Sequence, residues 1–229
     1  GGQSDVSAAC IAGSRHSIRA FVSGASRLPR TLSERCEALT GLPIHEGYGM
    51  TECSGFCTVN PIGVVPRAGS GGLVAPYYHV RAVQLTADRR IERDCAPGEV
   101  GTIVVSGPAV FAGYTDAALN AGKFLADAVD GSTWLDSGDL GQIDSDGFVW
   151  LAGRSKDLII RGGHNLDPAT IEDALCEHPA VASAAAVGMP DVRVGELPVA
   201  FVELQPQKLV TEEELRQFCT GRIADRAAE

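Results

Sequence analysis

The chain has 229 residues, 45% of them hydrophobic, with 19 Lys and Arg against 29 Asp and Glu for a formal net charge of −10. That length supports one large domain or up to two ordinary ones with a real core. The acidic balance, with no basic run longer than two residues, excludes nucleic acid and anionic membrane as partners.

In chain order, "TLSERCEALT" (31–40) reads as a helix: Leu32, Cys36 and Leu39 share a face and Gly41 ends it. "LPIHEG" then reads as a short buried strand leading into the loop "YGMTE", a helix–strand–loop order typical of α/β sheets. From about 60 to 152 the texture is β-rich. "HVRAVQL", "EVGTIVVSG" and "GFVWLAG" are strands separated by Gly, Pro and Asp turns, an antiparallel, barrel-like subdomain.

After Gly153, "DLIIRG" is a strand. "DPATIEDALCEH" is a helix with Asp167 as N-cap and Pro168 in its first turn. "AVASAAAVG" and "LPVAFVELQ" are strands. "TEEELRQFCTGRIAD" is a helix opened by a Thr211/Glu214 capping box. This βαββα order makes a small α+β domain with no closing strand. The longest small-apolar stretch, "AVASAAAVGMP", is too short to span a bilayer. No signal-peptide pattern opens the chain, and a first residue that is Gly suggests a piece of something longer. Seven cysteines, at 10, 36, 53, 57, 95, 176 and 219, offer one close pair and no zinc set, so reduced, mostly structural thiols in a cytoplasmic protein are expected.

Several motifs carry a choice between chemistry and packing. "IDSDGF" lacks the bidentate acid of a calcium loop and reads as a hairpin turn. "AGSGG" lacks the Lys-Ser/Thr of a phosphate loop and reads as a turn. In "EGYGMTECSG", Gly47 and Gly49 flank Tyr48, whose ring offers a stacking face. Thr51 and Glu52 suit a phosphate oxygen and Mg²⁺; a Gly-rich turn with a packed Tyr is the alternative. In "WLDSGDLG", Asp139 follows a glycine at a predicted strand end, where it serves either a ribose or its own backbone. "GRSKDLIIRGGHN" sets Arg154, Lys156, Asp157 and Arg161 around a short apolar run, for a ligand or for a solvated edge.

Taken together, "GYGMTE", "GEVGTIVVSGPAVFAGY" and "WLDSGDLGQIDSDGFVWLAGRSKDLIIRGGHNLDPATIEDAL" closely resemble the adenylate-forming enzymes, which include acyl-CoA synthetases, luciferases and the adenylation domains of peptide synthetases. The likeness runs from about Phe21 to the end of the chain. It implies α/β plus α+β architecture: the end of a large α/β and β-barrel-like adenylation domain over 1–153 (α/β to 60, β-rich over 61–153), then a small mobile α+β domain over 154–229, incomplete at its end.

The resemblance further implies a ligase that uses ATP and Mg²⁺ to convert a carboxylic acid, on the wording of "RGGHNLDPATIEDAL" a fatty acid, to an acyl-adenylate and then to a thioester with coenzyme A. A carrier protein as acceptor, or a non-catalytic nucleotide-binding fragment, is the alternative. Carried over by position, Gly24, Ala25 and Ser26 line the adenine and acyl pocket. Glu46, Gly47, Tyr48 and Gly49 form the adenine strip, Thr51 contacts phosphate and Glu52 binds magnesium. Asp139 holds the ribose hydroxyls, with Arg154 a second contact on that side. Lys156 falls at the hinge and Gly162-Gly163 beside the pantetheine tunnel. The family's phosphate loop and its catalytic Gly-Lys segment have no counterpart in the sequence, and neither Lys156 nor Lys208 replaces that lysine. The chain alone is therefore expected to be inactive.

Overall fold

The computed structural model describes residues 17–223, which fall into two compact units, one ending at Leu151 and one beginning at Ala152. In the first, strand β1 (Phe21–Ser23), helix α1 (Arg30–Thr40) and strand β2 (Ile44–Met50) come in order, with β1 parallel to β2. Gly41 stops α1 in a left-handed conformation, φ 71°, its N–H reaching the Glu37 carbonyl. Cys36 on the expected apolar face is half-buried, but Leu32 is 53% exposed. Strands β3 (Gly55–Val59) and β4 (Leu73–Val74) complete a sheet of order β1-β2-β3-β4. The strand expected to end near Gly47 runs on to Met50, because β3 folds back antiparallel and pairs Tyr48 with Thr58 and Met50 with Gly55. The loop begins only at Thr51.

The β-rich stretch forms a second sheet from β5 (His79–Leu85), β6 (Ile91–Asp94), β7 (Gly101–Ser106), β8 (Phe124–Ala126), β9 (Thr133–Ile143) and β10 (Val149–Arg154), in the order β10-β9-β7-β5-β6 with β8 on β9. It curls into a half-barrel. Beyond β8, the Ala128 N–H reaches the Ile91 carbonyl at 2.9 Å, so the β6 edge is met rather than left open. Val83, Ile91, Val104 and Leu125 form one of its apolar clusters. The two sheets join through Val149, which exchanges backbone bonds of 2.8 and 2.9 Å with Gly71 and Gly72. Behind that seam Tyr48, Cys53 and Cys57 share a core with Val80, Ile103, Val105 and Leu135. "IDSDGF" is the β9–β10 hairpin turn: Asp144 accepts from the N–H groups of Asp146 and Phe148 and from the Trp150 indole, and pairs with Arg67 at 2.9 Å.

The second unit contains β11 (Ile159–Arg161), β12 (His164–Leu166), α2 (Pro168–Cys176), β13 (Val181–Asp191), β14 (Gly195–Leu204) and α3 (Glu212–Cys219), with sheet order β12-β11-β14-β13. Asp167 caps α2 by accepting from Ala169 N–H, worth about 1 kcal/mol. Thr211 and Glu214 form the expected capping box on α3. Two features depart from the sequence reading. Strand β12 is additional, since Gly162 and Gly163 take φ 56° and 79° and turn the chain back on β11. Helix α3 stops at Cys219, and Thr220 then bridges to Ile223. Ile171, Leu175, Ala186, Cys219 and Ile223 build this unit's core with Ile159. Among the described residues Cys36, Cys53, Cys57, Cys95, Cys176 and Cys219 are free thiols and no helix is long and apolar enough to cross a membrane; Cys10 lies outside them.

The turn before β7 generates a test. Both Glu99 oxygens accept from Arg93, at 2.6 and 2.9 Å, and one also from Ala96 N–H, so the Glu99 carboxyl is lowered from 4.5 to about 2. A folded-state value below the unfolded one contributes stability above the unfolded pKa and loses it as pH falls. Urea melts of Glu99→Gln and the parent should therefore differ at pH 7, converge between pH 4.5 and about 2, and coincide below that. A difference that persists unchanged at the lowest pH would contradict the assignment.

Candidate functional site

The β1–β2 register sets Ser23 opposite Glu46, so Gly24, Ala25 and Ser26 leave β1 alongside Glu46, Gly47 and Tyr48. Ala25 is left-handed, φ 71°, a conformation that costs a side-chain-bearing residue about 1 kcal/mol or more. The glycines of this strip are demanded first by their protein neighbours. A Cβ on Gly24 would lie 2.2 Å from the Phe56 ring, on Gly47 2.9 Å from the same ring, and on Gly49 1.9 Å from the Gly55 carbonyl oxygen. Glu46 points to the "AGSGG" turn, accepting from Gly69 N–H at 2.7 Å, while Asn60 donates to the carbonyls of Glu46 and Ser70.

Tyr48 and Asp139 meet. The Tyr48 hydroxyl donates to Asp139 Oδ2 at 2.7 Å, across 91 residues of sequence, and the two residues are 8% and 7% exposed. Burial, reinforced by the neighbouring Asp139 charge, pushes the Tyr48 phenol far above its ordinary range, so it stays a donor at all physiological pH.

Asp139 lies within β9, at an irregularity, not at a strand end. While β7 advances from Thr102 to Val104, β9 advances from Leu140 back to Asp136, so Ser137, Gly138 and Asp139 are crowded out of the ladder. Gly138 takes φ 81°. The backbone-capping role falls to Asp136, which accepts from Gly138 N–H and pairs with Arg89 at 2.6 Å. The Ser137 hydroxyl donates to the Ile103 carbonyl and accepts from Asp139 N–H.

Thr51, Glu52 and Cys53 form a single 3-10 turn between β2 and β3, with Thr51 exposed, Glu52 half-buried and Cys53 buried. The Tyr114 hydroxyl donates to Glu52 Oε1, and this bond raises the Tyr114 phenol above its ordinary value. The Tyr78 hydroxyl donates to the Cys53 carbonyl. Among the described residues no three His, Cys, Asp or Glu side chains gather as a metal cage. One carboxylate beside one hydroxyl suits Mg²⁺, which keeps waters and takes most remaining ligands from substrate phosphates. Sequence reasoning assigned no role to Tyr114; "VFAGY" gives no spacing cue that it returns to a turn 62 residues earlier.

The other candidates belong to the second unit. Arg154 and Lys156 are exposed and line one rim of a cleft of about 460 Å³, whose other walls include Asp167, Glu172 and Glu196. All three acids serve the backbone: Asp167 accepts from Ala169 N–H, Glu172 from Ala186 N–H and Glu196 from Ile160 N–H. Gly162 and Gly163 form the exposed β11–β12 turn, with nothing within 4 Å of a Cβ at either, so their positive φ alone calls for glycine.

Comparison with known proteins agrees along the chain. Residues 5–115 match the AMP-binding enzyme family and residues 170–229 the AMP-binding enzyme C-terminal domain. A marinolic acid–CoA ligase of Pseudoalteromonas sp. is 43% identical over 90% of this chain and 31% of its own length. A 2-succinylbenzoate–CoA ligase of Bacillus cereus is 38% identical over 91% of this chain and 40% of its own. Among solved structures, o-succinylbenzoate coenzyme A synthetase of Bacillus subtilis in complex with ATP and magnesium ion superimposes with a TM-score of 0.79 at 32% identity, covering 98% of this chain and 44% of that one. The chain thus spans between 31% and 44% of the length of these relatives.

The close approach of β2 and β3 sets a stability test. Gly49→Ala must push against the Gly55 backbone and should cost about 3 kcal/mol in a denaturant melt. Gly63→Ala meets nothing within 4 Å and carries only the strain of φ 95°, about 1 kcal/mol. Equal losses would contradict the packing described for β2.

Proposed function

The chain belongs to the adenylate-forming enzymes, spanning the last part of their adenylation domain and their C-terminal domain, and we propose that the protein carrying it is an acid–CoA ligase. It would activate a carboxylic acid with ATP to an acyl-adenylate and pass the acyl group to coenzyme A. The observation that carries the reading is the 2.7 Å bond between Tyr48 and Asp139, which brings two distant motifs to one place. Relatives named as CoA ligases support the same class of reaction.

In this reading Gly24–Ser26 and Glu46–Gly49 line the adenine side, with Tyr48 against the base. Asp139 accepts from the ribose hydroxyls, and Arg154 adds a cation on that side. Attack of a carboxylate on a phosphate brings two anions together, so the site must offset the developing charge. Thr51 would donate its hydroxyl to a phosphate oxygen, and Glu52 would hold the Mg²⁺ that neutralises phosphate charge when bound. The boundary between large and small domains falls near Gly153, and Lys156 just beyond it is the pivot for a swing between the two half-reactions. Gly162 and Gly163, without side chains, let pantetheine pass close to the backbone. The acid is read as a fatty acid, on the wording around Arg161–Leu175, and the protein as cytoplasmic. The relatives' acids, marinolic acid and 2-succinylbenzoate, differ in chemistry, so a panel of acids is the test of substrate.

Calorimetry with a non-hydrolysable acyl-AMP analogue tests the site. Asp139→Ala should weaken binding by about tenfold or more, the loss of charged hydrogen bonds to two hydroxyls. Asp144→Ala, in the β9–β10 turn, should change it less than about twofold. Equal effects would remove the ribose assignment. Release of AMP that depends on acid and on coenzyme A, and not on a loaded carrier protein, would separate the CoA ligase from its nearest alternative.

A further inference from the structure

We propose that Tyr114 is a positioning residue for Glu52: its phenol holds one carboxylate oxygen and so sets how Glu52 meets the metal of bound Mg–ATP. The proposal rests on the reading of Glu52 given above.

Glu52 sits on a three-residue turn, and a flexible acidic side chain there must have its orientation set before it can meet a metal in one geometry. The segment from Ala109 to Tyr114 meets this turn at three points. Phe111 N–H donates to the Glu52 carbonyl at 2.8 Å, the Ser54 hydroxyl donates to the Ala109 carbonyl at 2.9 Å, and the Tyr114 hydroxyl donates to the Glu52 carboxylate itself. The first two bonds locate the turn, and only the third reaches the group that carries the charge.

Tyr114 is held in turn. Its ring meets Phe111 edge-to-face at 4.8 Å, and Phe111 lies 5.7 Å from the Phe124 ring. Asn120 closes the loop on the Tyr114 backbone, accepting from its N–H at 2.7 Å and donating to its carbonyl at 3.1 Å. Gly113 beside it has φ 134°, and a Cβ there would stand 2.9 Å from Asn120 Oδ1, so glycine is required for this closure. The result is a braced strut ending on a half-buried carboxylate. A loop that needed only an anchor already has two backbone-directed bonds to the same turn.

The test is Mn²⁺ titration followed by electron paramagnetic resonance in the presence of ATP, alongside calorimetry of ATP in EDTA, on the protein carrying this chain. Tyr114→Phe keeps the ring contact with Phe111 and removes one hydroxyl. It should raise the half-saturating Mn²⁺ concentration about five- to twentyfold while metal-free ATP binding changes less than about twofold. Glu52→Gln should weaken Mn²⁺ binding at least as much, and adding Tyr114→Phe to it should weaken binding no further.

Unchanged Mn²⁺ binding in Tyr114→Phe, with Glu52→Gln impaired, would overturn the positioning role alone. A parallel loss with and without metal would mark Tyr114 as merely structural and overturn it too. Unchanged binding in Glu52→Gln would instead remove Glu52 as the metal's carboxylate, and the proposal with it. Should Tyr114→Phe fail to fold, Asn120→Ala loosens the strut without touching Glu52: a selective loss of Mn²⁺ affinity supports the role, and an unchanged affinity overturns it.

Discussion

Tyr48 and Asp139 enter the core of the first unit from different sheets, and each is less than a tenth exposed. In so dry a place a phenol without an acceptor, or a carboxylate without donors, would cost several kcal/mol. Their bond therefore does more than join two side chains. It fixes how the short α/β sheet is set against the half-barrel, alongside the Val149 seam and the shared apolar core behind it. In the proposed reading this bond helps to set the strip on β2 assigned to adenine against the acid on β9 assigned to ribose.

The local rules of strand and turn are broken where this site is assembled. Strand β9 carries extra residues at Ser137–Asp139, Ala25 and Ser54 are left-handed without being glycine, and Gly49 lies where any side chain would strike Gly55. Two of these exceptions have a named stabilising neighbour: Asp136 and Ser137 for the bulge, and the Thr51 carbonyl for Ser54. Exceptions gathered around one set of residues are what a preorganised ligand site requires, because the chain must hold its donors in place before the ligand arrives.

Much of the frame was legible in the sequence. The capped starts of α2 and α3, the glycine stop of α1 and the hairpin turn at Asp144 follow from local chemistry, since caps and turns are decided within a few residues. Features set by distant partners were not legible. The extension of β2 to Met50 depends on β3, and β12 depends on a glycine turn whose three-residue strand has no apolar alternation. Asp139 read as a strand end because the bulge that displaces it is visible only against β7. Tyr114 closes one of the motifs that carry the resemblance, but its pairing with Glu52 was not legible, because the two lie 62 residues apart and meet only in the fold. The motif order pointed to the site residues by likeness; the pairing of Tyr48 with Asp139 is a product of the fold.

The central claim is that Tyr48 and Asp139 act as one unit in holding adenosine. A double-mutant cycle on AMP binding by calorimetry, with Tyr48→Phe, Asp139→Asn and the pair, tests it most directly. If they act together, each single change weakens binding and the double variant is no weaker than Asp139→Asn alone. Losses that simply add would contradict the claim, leaving two independent residues that happen to touch.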